Sequence, residues 1–322
     1  MYRKFIIIFL IAIIFMPGVI FSNDDFDNEY FETIYYGEDP AGDDYGPGAY
    51  RYPGHRVFQP GEGHFDLKSF EIQAFNSEYR FIFEFGEIEN PWDGKYGFSH
   101  QLIHMYFDTY SETGQSELFR PGARVKLNPD FPWDYHLQFS GWWLRLMDTE
   151  DDPDDLVRDI LNVDAEISPW DVYDINVEVL DSKIILELPE EYLGDIQGSK
   201  FYLLVGGFDP FGEDNFRPVQ NYRTNWSFYY DQYLDESNNF VQEEATRVID
   251  YFYPEPGYQE EFLGVNFDEI SYLKPIKIPL PEKTFIELIR DYSYLIAFIY
   301  SIISFFIISY ILYFIIRSAS DE

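Results

Sequence analysis

The chain has 322 residues, of which 22 are lysine or arginine and 58 are aspartate or glutamate, so its formal net charge is −36. Nucleic-acid binding requires basic side chains against the phosphates, so no nucleic-acid partner is expected. The sequence contains no cysteine, which excludes disulfides, thiolate metal sites and a cysteine nucleophile.

The first predicted element is a secretory signal peptide at residues 1–22. Two basic residues precede an apolar run over 5–16, and Pro17 and Gly18 end that run. This order of a basic segment, a short apolar segment and an acidic mature sequence is typical of an export signal. An uncleaved N-terminal anchor is the alternative, although the apolar run is short for a membrane span.

An acidic, glycine-rich stretch, DPAGDDYGPGAYRYP, follows at residues 39–53. Asp39, Asp43 and Asp44 bring three carboxylates close together among glycines that allow sharp turns. Ca²⁺ takes six to eight oxygen ligands, so this stretch is a candidate Ca²⁺-binding loop, although its spacing is not that of an EF-hand. The alternative is an acidic surface turn without a metal.

Residues 24–281 are predicted to fold as one exported, antiparallel β-sandwich. Aromatic residues make up 20 % of the chain, and apolar residues alternate with polar ones in short runs such as YRFIFEFGE at 79–87. Glycine, proline, asparagine and aspartate separate these runs. A period of two with such breaks is typical of strands that bury one face.

Helical structure is expected to be sparse in this body, with one or two short helices. A helix is predicted over 154–163, because Pro153 suits a helix start and an apolar stripe follows it. The segment PIKIPLP at 275–281 is predicted to be the last edge strand of the domain.

Four tryptophans are candidate carbohydrate-stacking residues: Trp92, Trp142, Trp143 and Trp170. Sugars present apolar C–H faces that stack on flat aromatic rings. Trp92 and Trp170 each follow a proline and are expected at the surface. Trp142 and Trp143 lie in a strand-like run, so one ring is expected to face outward and the other inward. The alternative for each ring is a place in the core.

The C-terminal part is predicted to anchor the protein in a membrane. Residues 282–291 form a short linker, and 292–316 contain no charged residue over a length that can cross a bilayer as a helix. The signal peptide then places the body outside the cell and residues 317–322 in the cytoplasm. The expected product is a single-pass cell-membrane protein with an extracellular domain.

Two histidine arrangements are not expected to bind metal or haem. His100 and His104 lie in HQLIHMYF, which is strand-like, so the two side chains are about 13 Å apart at about 3.3 Å per residue. His104 and Met105 point to opposite faces of the same strand and cannot both ligate one haem iron.

Several segments together resemble the C-terminal domain of glucodextranase, a DOMON-type β-sandwich. The resemblance is carried by DPAGDDYGPGAYRYP, HFDLKSFEI, NPWDGKYGFSHQLIHMYFDT, PWDYHLQFSGW and GGFDPFGEDNFRPV, in that order along the chain. It implies a sandwich fold, α-glucan recognition and a calcium site, and it extends the candidate ligands to Asp209. The family often has Gln-Asp-Gly where this chain has Phe208-Asp209-Pro210. The domain also occurs as a membrane-anchored protein linked to amylopullulanase regulation.

The function expected is therefore non-catalytic. The protein is predicted to bind α-glucan or another polysaccharide at the cell surface, and to assist or regulate an amylopullulanase-type enzyme. One alternative is a structural cell-envelope module without sugar specificity, and a weaker one is a glycoside hydrolase. With 58 carboxylates an acid/base pair can be drawn almost anywhere, so such a pair carries no information.

Overall fold

The computed structural model describes most of the chain between its N-terminal segment and its C-terminal helix. The described residues are 30–59, 63–109, 114–151, 170–233, 240–266, 268, 270–281 and 293–320. The predicted signal peptide (1–22), the predicted helix (154–163) and the predicted linker (282–291) lie outside them.

Within the described residues the body is built almost entirely from strands. In chain order the strands are β1 (Glu32–Glu38), β2 (Tyr50–Arg51), β3 (Leu67–Phe75), β4 (Glu78–Phe85), β5 (Gln101–Asp108), β6 (Lys126–Leu127), β7 (Tyr135–Ser140), β8 (Leu144–Asp148), β9 (Asn176–Leu180), β10 (Lys183–Pro189), β11 (Lys200–Gly207), β12 (Val219–Gln220), β13 (Phe228–Tyr230), β14 (Val248–Tyr251), β15 (Tyr272–Leu273) and β16 (Ile276–Lys277). The α-helices are α1 (Tyr258–Phe262) and α2 (Ser293–Ser320), and single 3₁₀ turns span Arg56–Phe58, Pro121–Ala123, Glu190–Tyr192 and Glu213–Asn215.

Two antiparallel sheets form the sandwich. The first has the order β1-β3-β4-β10-β9, and the second has the order β14-β11-β5-β7-β8, with β16 also pairing with β11. The predicted edge strand in PIKIPLP is confirmed by this β16 pairing. Two small sheets, β12-β13-β2 and β15-β6, lie beside the main ones. The prediction of an all-β antiparallel sandwich is therefore confirmed.

The core between the two sheets follows the alternation seen in the sequence. Tyr79, Phe81, Phe83 and Phe85 of β4 are all buried, while the residues between them are partly exposed. Across the sandwich, the ring of Phe81 lies 6.2 Å from that of Phe107 on β5. Removal of these large rings from water supplies the main driving force for joining the sheets.

The second sheet is buried on both faces. All eight residues of β5 are buried, and its face away from the first sheet is covered by long loops. On that face His104 contacts the Phe216 ring at 4.5 Å between centroids, and Tyr106 contacts Trp133 at 5.9 Å. These loops form a third layer over the sheet, and the candidate binding surfaces lie among them and at the sheet ends.

The C-terminal helix α2 stands apart from this packing. Its segment Phe298–Arg317 is long and apolar enough to cross a membrane, and none of it is buried against the rest of the described chain. A helix that is apolar on all sides is suited to a lipid environment. The apolar helix predicted over 292–316 is thus present, and it continues to Ser320.

Candidate functional site

One open cleft of about 680 Å³ gathers aromatic side chains from four separate parts of the chain. We call it the aromatic cleft. Its lining residues are Trp92, Trp142, Trp143, Phe208, Asp209, Pro210, Phe211, Arg217 and Trp226. Three of the four predicted stacking tryptophans therefore lie on one concave surface.

The Trp142–Trp143 pair lies in the turn between β7 and β8, and both rings are half-buried. The expectation that the pair alternates within a strand was wrong. β7 ends at Ser140, and the next position must be glycine, because a Cβ atom at Gly141 would collide with the Phe98 carbonyl oxygen. The Ser140 hydroxyl accepts hydrogen bonds from the backbone N–H groups of Trp142 and Trp143, each at 3.3 Å. Both rings consequently contribute to the cleft.

Trp92 lies in a turn that its neighbours hold closed. The Asn90 side chain accepts a hydrogen bond from the Gly94 N–H at 2.7 Å and donates one to the Gly94 carbonyl at 3.0 Å. The Trp92 ring packs edge-on against Phe58 and His100, with centroids 5.7 and 4.8 Å away. Trp92 is half-buried, so one part of the ring is anchored and another part lines the cleft.

Arg217 fixes the floor of the cleft. Its side chain is buried, and its guanidinium donates to the backbone carbonyls of Trp226 and Phe208. Burial lowers the pKa of Arg217 to about 10, with Asp209 as the opposing influence at 3.9 Å. The group therefore remains a cation at neutral pH and ties the two cleft loops together.

Exposed aromatic rings form the outer part of the cleft, and they were not among the predicted carbohydrate-stacking residues. Trp226 is 49 % exposed and stacks on His55 at 4.1 Å between centroids. Phe211 is 96 % exposed. Phe208, Phe211 and Arg217 all lie in the segment GGFDPFGEDNFRPV, so the motif was visible in the sequence although no ligand role was assigned to these positions.

Trp170 does not belong to the cleft. Only 6 % of it is exposed, and it packs edge-on against Phe119 at 5.2 Å. Its indole N–H donates to the Asp151 carboxylate at 2.8 Å. The expectation of a surface ring at this position was wrong, because residues distant in sequence cover it, and the ring has a structural role.

A second candidate site is an acidic one, formed by Asp39, Asp43 and Asp250. One carboxylate oxygen from each lies within 4.8 Å of the others. We call this group the aspartate cluster. Asp250 comes from β14, and it was not among the predicted ligands. Asp44 instead accepts a hydrogen bond from the Tyr52 hydroxyl, and Asp209 lines the aromatic cleft.

The aspartate cluster leaves three buried oxygens facing one another. Asp39 accepts the Tyr253 N–H at 2.8 Å and Asp250 accepts the Leu67 N–H at 2.7 Å, each through one oxygen. Within the described residues, no amide, hydroxyl or basic group donates a hydrogen bond to the second carboxylate oxygen of Asp39 or of Asp250. The same is true of one carboxylate oxygen of Asp43. Buried acceptors without donors are unfavourable unless a proton or a cation lies between them.

The electrostatics of the aspartate cluster agree with that geometry. Burial, followed by repulsion from Asp43, raises the pKa of Asp39 to about 9. Burial and the Asp66 charge raise the pKa of Asp43 to about 7. Asp250 is fully buried and its pKa is also raised by burial and by Asp39. A divalent cation would remove this repulsion and favour the ionised carboxylates.

The loop that carries Asp43 is held against β14 by one side chain. Gln259 of α1 donates to the backbone carbonyls of Asp43 and Gly46 and accepts the Tyr251 N–H at 2.6 Å. The Gly46 N–H also donates to the Ile249 carbonyl at 2.8 Å. The carboxylates of Asp39 and Asp43 are thus held next to Asp250, which is distant from them in the sequence.

The sandwich and its cleft define the class of the protein as a β-sandwich binding module. A family model described as the C-terminal binding module, SLH-like, of glucodextranase matches residues 34–273, and the chain belongs to this family. The match covers the aromatic cleft and the aspartate cluster. A search of the curated proteins found no match.

Proposed function

We propose that the protein binds α-glucan chains at the cell surface through the aromatic cleft. The observation that carries this proposal is the convergence of Trp92, Trp142, Trp143 and Trp226 on one open concave surface. Flat rings at several angles suit a curved oligosaccharide, because each ring can stack on a different sugar face. Trp and Phe also lose little conformational entropy when they bind.

The polar groups of the cleft suit binding rather than hydrolysis. Among the described lining residues Asp209 is the one carboxylate, and Arg217 pairs with it at 3.9 Å. Glycoside hydrolysis normally uses two carboxyl groups on either side of the bond. A paired carboxylate and guanidinium can accept and donate hydrogen bonds to sugar hydroxyls, which supports a non-catalytic module.

A membrane anchor would give the proposed binding a location. We propose that α2 anchors the protein, with the sandwich outside the cell and the C-terminus in the cytoplasm. The apolar segment Phe298–Arg317 supports the anchor. Held near the bilayer, the module would retain glucan beside a secreted enzyme of the amylopullulanase type, as the family resemblance suggests.

We propose further that the aspartate cluster binds Ca²⁺. The support is the set of buried carboxylate oxygens of Asp39, Asp43 and Asp250 to which no amide, hydroxyl or basic group of the described residues donates a hydrogen bond. Hard oxygen donors on a loop and a strand suit this ion. The role assigned to it is structural, because it would join the N-terminal loop to β14.

A structural envelope module is the competing function. The description of the family as SLH-like and the formal charge of −36 favour it. Such a module would contact surface-layer proteins or wall polymers without needing an open aromatic surface. The two functions therefore differ in whether the cleft tryptophans respond to a soluble glucan.

The test is calorimetric titration of the full-length protein with maltoheptaose, with cellohexaose as a β-linked control. The detergent must lack a sugar head group, because a maltoside would compete for the cleft. Binding of maltoheptaose that is lost in Trp142→Ala and kept in Tyr30→Ala supports the proposal. Tyr30 is 77 % exposed and is not part of the cleft lining. Absence of binding to any glucan, together with binding to envelope fragments, would favour the competing function.

A further inference from the structure

We propose that His64, Glu89 and His100 form a binding site for a transition-metal dication of the Zn²⁺ type. One potential ligand atom from each of the three lies within 4.8 Å of the other two. His64 and His100 are buried, and Glu89 is half-buried. The group shares no residue with the aspartate cluster, and its potential ligand atoms include nitrogen as well as oxygen.

The two histidines lack the hydrogen bonds that buried imidazoles normally make. Both ring nitrogens of His64 and both of His100 have no hydrogen bond of normal length and angle to any described residue. The other buried histidine pair differs, because His136 Nε2 lies 3.0 Å from His104 Nδ1. Buried ring nitrogens without a hydrogen bond of normal geometry within the described part of the chain are unfavourable, and a bound metal would satisfy one nitrogen on each ring.

The donor set matches the chemistry of Zn²⁺. Two neutral imidazoles and one carboxylate are a known ligand combination for this ion, with a water molecule completing a tetrahedron. An imidazole binds a metal through the lone pair of a ring nitrogen, and the His64 and His100 rings each offer one nitrogen within 4.8 Å of a Glu89 carboxylate oxygen. Ca²⁺ prefers oxygen donors and is a poor match for two imidazoles.

The surroundings supply a second layer of support and an access path. The Gln101 side chain donates to the His64 carbonyl at 2.6 Å, which holds the segment carrying that ring next to β5. A carboxylate oxygen of Glu87 lies 3.8 Å from His64 Nδ1, and this side chain is 38 % exposed. An ion can therefore approach from the side of the two glutamates, and Glu87 can orient the His64 ring.

The proposed site lies directly behind the aromatic cleft. The His100 ring contacts Trp92 at 4.8 Å and Phe58 at 5.0 Å between centroids. A metal held by His100 would restrict the wall against which Trp92 packs. The inference does not depend on the identity of the sugar, since it rests on the histidine and glutamate geometry alone.

The test uses the full-length protein after removal of metals with chelator and dialysis. Isothermal titration with Zn²⁺ in the presence of excess Ca²⁺ should show one tight site, and Zn²⁺ should raise the melting temperature. Glu89→Gln, which changes a half-buried residue, should weaken Zn²⁺ binding at least tenfold without loss of the fold. His100→Gln should abolish the tight site, whereas Asp250→Asn and His136→Gln should keep it.

A spectroscopic measurement identifies the ligands. Electron paramagnetic resonance of the Cu²⁺-loaded protein should show coupling to two nitrogen nuclei, and His64→Gln should reduce this to one. The proposal is overturned if Zn²⁺ binds only weakly at many sites, if Glu89→Gln and His100→Gln both retain the tight site, or if Cu²⁺ has only oxygen ligands. Maltoheptaose binding in the same samples reports on the aromatic cleft separately, so failure of one proposal is distinguishable from failure of the other.

Discussion

The Trp142 ring stacks on the Phe208 ring with 4.7 Å between centroids and 27° between planes. Trp142 belongs to the β7–β8 turn, and Phe208 follows β11 directly. β7 and β11 lie on either side of β5 in the second sheet. The contact therefore joins two loops that leave the same end of the sheet, and it fixes the angle between the walls of the aromatic cleft.

Phe211 provides the cleanest test of the cleft because it has almost no packing role. Replacement by alanine should leave the melting temperature unchanged, since the side chain is 96 % exposed. Loss of one stacking ring should weaken maltoheptaose binding by about 0.5–1.5 kcal/mol, or up to about tenfold. Titration calorimetry on Phe211→Ala and on Tyr30→Ala measures the difference. Equal affinity in both variants and the wild type would remove Phe211 from the site.

Arg217 is expected to be needed for the shape of the cleft as well as for stability. Arg217→Met leaves the buried carbonyls of Phe208 and Trp226 without donors, which should lower the free energy of unfolding by about 3 kcal/mol. Arg217→Lys should recover only part of this, because an ammonium cannot reproduce the planar fork of a guanidinium. Urea unfolding of the three proteins gives the values. A lysine variant as stable as wild type would contradict this account of the cleft floor.

Calcium removal is expected to destabilise the protein. A ligand that binds only the folded state raises the melting temperature, so a calcium chelator should lower it. In Asp250→Asn and in Asp43→Asn the melting temperature should become independent of Ca²⁺. Asp209→Asn is the matched control, because Asp209 lies in the aromatic cleft, and it should keep the calcium response. Identical melting curves of the wild type with and without chelator would contradict calcium binding. Protonation would then account for the buried carboxyl groups of the aspartate cluster.

Acid should destabilise the fold through the buried His104–His136 pair. Burial lowers the pKa of His104 in the folded state to about 3, whereas the ordinary value is 6.5. The pKa of His136 is also lowered by burial and by His104. Below about pH 6.5 the unfolded chain takes up protons that the folded chain does not, so stability falls as the pH drops towards the folded pKa. The slope is about 1.4 kcal/mol per pH unit for each histidine.

The measurement is urea unfolding of the wild type and His104→Gln at several pH values. Because only His104 is replaced, the difference between the two proteins reports the contribution of His104 and its coupling to His136. The variant should lose less stability on going from pH 6.5 to pH 4.5, and the two slopes should coincide above pH 7.5. Parallel curves over the whole range would show that His104 does not couple protonation to folding.

The strands and the apolar helix could be predicted because their signals are local. Alternation along β4 places Phe81 and Phe83 in the core whatever strand lies opposite, since the period of two fixes one face. The helix α2 follows from its composition alone. The family resemblance rests on whole motifs, and the family match over 34–273 confirms it.

The residues that make up the two sites could not all be predicted, because each site is formed by contacts between residues that are distant in the sequence. Asp250 joins Asp39 only because β14 and the loop after β1 meet in the fold. Trp170 is buried by Phe119 and its neighbours, which no pattern around residue 170 shows. The turn at Trp142 and Trp143 could not be predicted locally, because the close approach that requires glycine at position 141 involves Phe98 on another segment.

Because the second sheet is buried on both faces, its strands belong to the core, and the lining of the aromatic cleft comes from the turns and loops around them. The rings that would meet a ligand sit in turns and loops, while the strands beneath them keep their pairing regardless of which ring is present. Substitutions of exposed loop residues such as Phe211 are therefore expected to change ligand contacts at little risk to folding, whereas Arg217 is needed to hold the cleft loops. This arrangement is expected to let the contact surface change while the scaffold is retained.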